Sequence, residues 1–465
     1  MIKTFRKKFI GDKAFYLMVL GIAVPIMIQN GITNFVNLLD NVMVGQIGTE
    51  QMSGVAIVNQ LLFVYNLCIF GGLAGAGIFT AQYFGQKDDH GIQHTFRFKI
   101  WLALLLTAGS VILFLCAGDS LINLFLTGND DGGDIAATLY YGRKYLNVML
   151  LGLPAFALVQ IYASTLRECG ETVVPMKAGV TAVLINLVFN YLLIYGKFGF
   201  PELGVVGAAV ATVLSRYVEA LIVLFWTHRH SEKNTYIIGL YRTLKVPMHL
   251  VTKFIIKGCP LLINEAMWSC AMTMLVQCYS VRGLNVVAGL NIANTLNNLF
   301  SIVFIALGDA VGILVGQLLG AGKMKEARDT DNKLIAFSTM SCFAMGILLL
   351  FAAPFFPNLY NTTDDARSIA TSLITVQAIF MPLHGFLHSS YFTLRSGGKT
   401  IITFLFDGAF VWLVSVPIAF VLSRFTGLPV VWIFTMVQLG DCIKAVLGFI
   451  LVKKGVWIQN IVASK

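Results

Sequence analysis

Charge is what this sequence has least of. Asp, Glu, Lys and Arg make up 12% of the 465 residues, while 57% are apolar and 35 are Phe. Soluble domains carry about 25% charged residues, and a water-facing surface built from so few would expose a very large apolar area. A soluble globular protein is thereby excluded, and the bilayer is left as the solvent. Patterned cysteine is also missing. The eight Cys (68, 116, 169, 259, 270, 278, 342 and 442) lie mostly inside apolar runs, with no C-x-x-C pair and no His at zinc-finger spacing. Free, inert thiols are expected, and no disulfide or zinc framework. Catalytic signatures are absent too: there is no nucleophile elbow and no H-E-x-x-H. SGGKT (396–400) and GAGK (320–323) imitate phosphate loops, but neither has a Gly five places before the Gly that precedes Lys. Neither an enzyme nor a cofactor is expected. The net charge of +10 does not point to nucleic acid, because the basic residues lie between apolar segments and form no single patch.

What the chain has is apolar length. The start, MIKTFRKKF, is basic, but the apolar stretch after it is too long for a signal-peptide core and no small-residue cleavage site ends it. It is expected to be a retained first span. Cutting at charged and Gly/Pro-rich joints gives twelve segments, each able to cross about 30 Å of hydrocarbon. They run 14–43, 52–83, 97–117, 134–162, 175–195, 204–227, 254–280, 287–318, 333–356, 366–392, 401–422 and 429–451. The fold class expected is an all-α membrane protein. Lys and Arg test the cut independently, since cytoplasmic loops hold the excess. With both termini taken as inside, only Arg143, Lys144, Lys197, Arg282, Arg367 and Arg424 fall at outer ends, and Arg216 and Lys444 fall within spans. Every other basic residue is inner. A multi-pass protein of the plasma membrane with cytoplasmic termini follows as the expectation.

The chain also repeats itself. TLRECGET (165–172) recurs as TLRSGGKT (393–400), an offset of 228 residues (393 minus 165), and Pro154 recurs as Pro382 at the same offset. Earlier in each half the offset is 235 (260 minus 25), which matches Pro25 to Pro260, Asn59 to Asn294, Gln82 to Gln317 and Gly85 to Gly320. Six spans per half is even, so both halves enter the membrane from the same side and the repeat is parallel. Two six-helix lobes are expected, 1–228 and 254–465, with a central cleft and a charged cytoplasmic linker at 229–253 that could be an amphipathic surface helix over part of its length.

Within the first span Asn30, Thr33, Asn37 and Asp40 recur at spacings of three and four, so one helix face is polar. Lipid cannot satisfy such a face, and it must point inward. A hydrogen-bonded packing seam would explain the neutral members. The ionisable end favours a cation or proton site, because an acid inside a span costs about 2.5 to 3.5 kcal/mol. In the second half Glu265 lies about 16 Å along its span at helical rise. His384 and His388 sit one turn apart on a face, where imidazole switches charge readily near neutral pH but also serves as ordinary core. Asp309 and Asp407 are further acids inside spans. Arg216 and Lys444 are expected to pair with Glu219 and Asp441 at three-residue helix spacing.

Several motifs together carry a family resemblance. They are the Pro25-to-Asp40 spacing with LDNVMVGQIG, the loop AQYFGQKDD, TLRECGET with its repeat, and GVVGAAVAT at 204–212. Over nearly its whole length the chain resembles the multidrug and toxic compound extrusion (MATE) family. The resemblance implies a twelve-helix antiporter, monomeric, that exchanges small organic cations for sodium or protons. It also implies that Asp40 works with an Asn-x-x-x-Asp pair on the fifth helix and a threonine on the sixth. Here the pair reads Asn186 and Asn190, and Thr212 matches the threonine. The second acid is missing, so Asp40, Asn37, Asn186, Asn190 and Thr212 offer one negative charge among neutral oxygens. Such a hard oxygen cage suits sodium at Asp40, and it suits a proton equally. One branch of the family carries an acid at the position of Trp268, three residues beyond Glu265, and another on the tenth helix at the position of His384. A lipid-linked oligosaccharide flippase of a related transporter class is the alternative reading; it calls for a cleft lined with basic residues.

Overall fold

Apolar runs of twenty or more residues keep their backbone groups hydrogen-bonded in hydrocarbon by coiling into helices. In the computed structural model, which describes residues 9–126 and 134–463 apart from the side chains of Asn37, Leu38, Asn41 and Val42, the chain does so throughout. Among the described residues there is no strand, and twelve helices are long and apolar enough to span a membrane. In chain order they are α1 (Lys13–Gly45), α2 (Thr49–Gln86), α3 (Asp89–Leu126), α4 (Ile135–Glu168), α5 (Val173–Tyr195) and α6 (Val205–Arg229). The second half holds α7 (Met248–Ser280), α8 (Leu284–Gly320), α9 (Met324–Ala352), α10 (Asp364–Ser396), α11 (Thr400–Phe425) and α12 (Val430–Lys454). Their outward sides are apolar: on α3, Leu104, Leu105, Ile112, Leu113 and Leu115 are all more than half exposed, which in water would be untenable.

The largest departure from the hydropathy cut is α3, which is 38 residues long. Its first turns, before the expected start at 97, carry Gln93, and Arg97 and Lys99 follow at that start, yet all three are buried. Protein partners, not water, satisfy them. At the other end Gly118–Leu126, expected as outer loop, continues the helix, and 127–133 lie outside the described residues. The stretch from Arg229 to Met248 holds no α-helix, only single 3-10 turns at Thr235–Ile237 and Leu240–Arg242. Side chains one turn apart on α3 hold it down. Gln93 donates to the Ile238 carbonyl at 2.9 Å, Arg97 to that of Leu240 at 3.0 Å, and Trp101 to that of Leu244 at 2.9 Å. With its carbonyls satisfied from outside, this segment gains little from helix formation.

Two helices are interrupted. A 3-10 turn at Leu150–Gly152 precedes Pro154 in α4. In α11, π-helical turns at Leu405–Ala409 and Val411–Ser415 replace the α ladder. The first has an identifiable cause, since the Asn264 Oδ1 accepts the Gly408 N–H at 2.8 Å and so inserts a side chain into the backbone ladder. Gly408 permits this, because a Cβ there would come 2.8 Å from that oxygen.

By packing, the chain sorts into two units. One gathers α1 as far as Met27, Ala81–Asp88 and the chain from Lys253 onward; the other gathers Ile28–Thr80 and Asp89–Thr252. The expected lobes differ from these units at the first half of α1 and the last turn of α2. The reason for α1 is apolar: Phe15, Val19, Ile22, Ala23 and Ile26 join one buried cluster with Ala306, Leu307, Ala310, Leu387 and Phe392. For α2 it is the repeat itself. A Cβ on Gly85 would run into the Gln317 carbonyl, and a Cβ on its repeat mate Gly320 would run into the Gln82 carbonyl. All eight cysteines are free thiols.

Candidate functional site

Two polar clusters lie inside the helices, one in each unit. In the first, α5 places Asn186 and Asn190 one turn apart, α1 supplies Asp40, and α6 supplies Thr212. Both asparagines are buried, at 5% and 1% exposure. Asn190 Nδ2 donates to Asp40 Oδ1 at 2.6 Å. The Asn186 amide fits in two orientations. In one its oxygen accepts from Asn190 at 3.2 Å and its nitrogen donates to Thr212 at 3.2 Å. In the other its nitrogen faces both carboxylate oxygens, at 3.1 and 2.9 Å, and its oxygen accepts from Thr212. A carboxylate only accepts, so the second orientation adds the Asn186 amide to the donors around Asp40. In the first orientation the single Thr212 hydroxyl proton goes to the Ala208 carbonyl at 3.0 Å, and in the second it goes to Asn186.

No Lys, Arg or His among the described residues comes within ion-pair distance of Asp40, and Arg216 is committed to Glu219 at 2.9 Å. The hydrogen-bond partners of Asp40 among the described residues are therefore neutral, and Arg216 acts on its charge only through space. Asn37 stands one turn before it on α1, but its side chain lies outside the described residues.

The second cluster is built differently. Asp407, on the π-helical turn of α11, accepts from Lys444 Nζ of α12 at 2.6 Å and from Asn264 Nδ2 of α7 at 3.2 Å. Lys444 thus pairs across helices with Asp407 instead of with Asp441 on its own helix. A contact of 2.6 Å between two largely buried groups outweighs the few tenths of a kcal/mol that a same-helix pair offers. Asp441 is left facing His384, 4.0 Å away, while His384 also meets Gln438 Oε1 at 3.1 Å. Tyr391 donates to Glu265 at 3.4 Å and accepts from Asn264 at 3.4 Å. His388 packs into an aromatic group, 5.0 Å from the Phe304 ring and 5.7 Å from that of Phe392. Asp309 is half-buried on α8.

Glu265 and Asp407 therefore join one network through Tyr391 and Asn264, with Lys444 at its end, while His384 meets Gln438 and Asp441 in a second group; the connecting residues are Asn264, Tyr391, Lys444, Gln438 and Asp441. A sequence signal for three of these existed: Gln438, Asp441 and Lys444 recur every third residue on α12, a polar stripe like that on α1. Nothing comparable announced Asn264. Trp268, where the resemblance led to the expectation of an acid in one branch of the family, is 40% exposed.

The model of the MatE family matches this chain twice, over residues 25–192 and 260–421, which is one match per half of the repeat. A relative named "Probable multidrug resistance protein NorM" from Thermotoga maritima is 26% identical over 454 residues, covering 96% of this chain and 93% of its own. "Multidrug resistance protein PmpM" from Pseudomonas aeruginosa is 27% identical over 416 residues, 87% of this chain and 83% of its own. Among solved structures, a MOP superfamily transporter from Pyrococcus furiosus superposes with a TM-score of 0.82 at 21% identity, covering 94% of this chain and 95% of that one. An outward-facing multidrug resistance MATE family transporter gives 0.82 at 20% identity with the same coverage.

Proposed function

Because the chain belongs to the MatE family of membrane transporters, we propose that it is a secondary antiporter that expels small organic cations in exchange for sodium or protons by alternating access. Asp40 takes up the coupling ion, Asn186, Asn190 and Thr212 orient the carboxylate or complete the oxygen shell, and Asn37 adds to it. The observation that carries this reading is that, among the described residues, Asp40 is hydrogen-bonded to neutral groups and forms no ion pair. An acid held by neutral donors alone can bind and release a small cation, whereas one locked to arginine or lysine cannot.

The second cluster serves substrate or a second ion in this reading, with Glu265, His384, His388 and Asp309 as its exchangeable members and Asp407 held by Lys444. The two sequence halves, 1–228 and 254–465, act as the moving lobes, the termini face the cytoplasm, and the protein works as a monomer in the cell membrane. The energetics suffice. One charge moving down 100 mV yields about 2.3 kcal/mol, and a tenfold substrate gradient costs about 1.4 kcal/mol. The test is efflux of a fluorescent organic cation from proteoliposomes with sodium and pH gradients imposed separately. Efflux that responds to neither gradient rejects the antiport reading.

A further inference from the structure

The repeat gives each half a threonine at the same place, Thr165 in TLRECGET and Thr393 in TLRSGGKT. In both halves its hydroxyl meets a charged side chain at 0% exposure, but the charges are opposite. In the first half Lys99 of α3 donates to Thr165 Oγ1 at 3.1 Å, to Ser164 Oγ at 3.0 Å and to Glu168 Oε2 at 2.6 Å. Cation and carboxylate close on each other there. In the second half Asp331 of α9 accepts from Thr393 Oγ1 at 2.6 Å through Oδ1, while its Oδ2 is buried without a hydrogen-bond partner. The place of Glu168 is taken by Ser396, whose hydroxyl turns to the Thr393 carbonyl at 2.8 Å.

Nothing supplies Asp331 with a fixed counter-charge among the described residues. On α9 itself Arg328 donates to the Lys453 carbonyl at 2.8 Å, Lys333 lies over the Phe15 ring, and Lys325, Glu326 and Asp329 are exposed. On α10, Arg395 lies over Phe392 and His388 sits among aromatic rings. On α8 the one ionisable side chain is another acid, Asp309. A carboxylate taken out of water and left unpaired is too costly to persist, and such groups are neutralised instead.

The seam between α9 and α10 says by what. Asp331 meets Thr393 at one level, and two turns further along α9 Ser338 Oγ donates to the Gly385 carbonyl at 3.3 Å. Ser389 stands between these levels, one turn from Thr393 and one from Gly385 on the same face of α10, and its buried hydroxyl has no partner. Around Asp331 the side-chain oxygens of this seam that lack a partner among the described residues are its own Oδ2 and Ser389 Oγ, with Gln377 Oε1 several turns away, whereas a hard metal cation takes about six or more. At Gly385 a Cβ would come 2.7 Å from the Cys342 sulfur, so the two helices approach closely at that level.

We propose that Asp331 is a proton-binding site. Its Oδ2 takes a proton from the adjacent aqueous loop and turns it toward Ser389 Oγ, a contact that the two oxygens do not make in this structure, so that a neutral carboxyl stands where the other half keeps a lysine ammonium. The route is short, since Asp331 lies about 10 Å of helical rise from the start of α9.

Infrared difference spectroscopy on the full-length protein in lipid reads protonated carboxyls directly, with pH stepped in the absence of sodium and sodium then titrated at fixed pH. Asp331→Asn is expected to lose one protonated-carboxyl band that the unmodified protein shows. Ser389→Ala is expected to keep that band but move it to higher frequency, because the carboxyl has lost its acceptor. If Asp331→Asn fails to fold, the Ser389→Ala shift decides alone. Identical spectra in the unmodified protein and the variants would overturn the proposal, and so would a band that disappears on adding sodium at fixed pH. None of these readouts involves transport, so their failure leaves the antiport reading untouched.

Discussion

The two polar clusters differ in what neutralises their acids. Around Asp40 every donor is neutral: an asparagine at 2.6 Å, a second asparagine facing both oxygens and a threonine behind it. Around Asp407 a lysine ammonium lies 2.6 Å away and has already done the work that an exchangeable ion would do. The comparison teaches that an acid inside a span is not by itself a transport site. What matters is whether its counter-charge is part of the chain.

Four substitutions break or sharpen this contrast. The largest effect is expected at Asp40, where Asp40→Asn removes the only charge in the first cluster and should abolish ion-driven efflux from proteoliposomes while the protein stays folded. Unchanged extrusion by that variant would sink the first cluster as the coupling site. Next comes Lys444→Met, which leaves Asp407 buried and unpaired. A cost of about 3 to 5 kcal/mol of stability is expected, read as a lower unfolding temperature in detergent, and adding Asp407→Asn should recover most of it. If Lys444→Met alone is neutral, the pair is not what holds α11 to α12.

A smaller effect is expected of Thr212→Val, which keeps volume but removes the hydroxyl that holds Asn186. One hydrogen bond contributes about 1 kcal/mol, so the coupling ion should bind roughly fivefold more weakly, measured as a shift in the ion concentration for half-maximal efflux. The smallest is Arg216→Gln. Its side chain is 36% exposed and that of Glu219 4%, and a same-helix pair at this spacing contributes less than about 1 kcal/mol; a large loss of transport would instead place Arg216 in the site.

The sequence made the first cluster readable because its members are local. Asn30, Thr33, Asn37 and Asp40 share a face by helical spacing, Asn186 and Asn190 are one turn apart, and only the meeting of α1, α5 and α6 had to come from resemblance to known proteins. The second cluster resisted for the opposite reason. Lys444 has an acid three residues away on its own helix, and local spacing favoured Asp441, whereas the shorter contact is with Asp407 on a neighbouring helix. Asn264 could not be found at all, since its role is to enter the backbone ladder of α11. The early start of α3 was hidden in a similar way, because hydropathy treats Gln93 as a group that needs water, and the fold gives it the Ile238 carbonyl.

By itself the sequence determined that the chain is a twice-repeated set of twelve helices in a bilayer. Transfer from water to hydrocarbon is close to a sum over residues, so composition and order suffice for that. Which charges find each other only the tertiary structure decided, because a hydrogen bond between helices depends on the rotation and depth of both. Those are set by packing along the whole length of each helix, and no single segment contains that information.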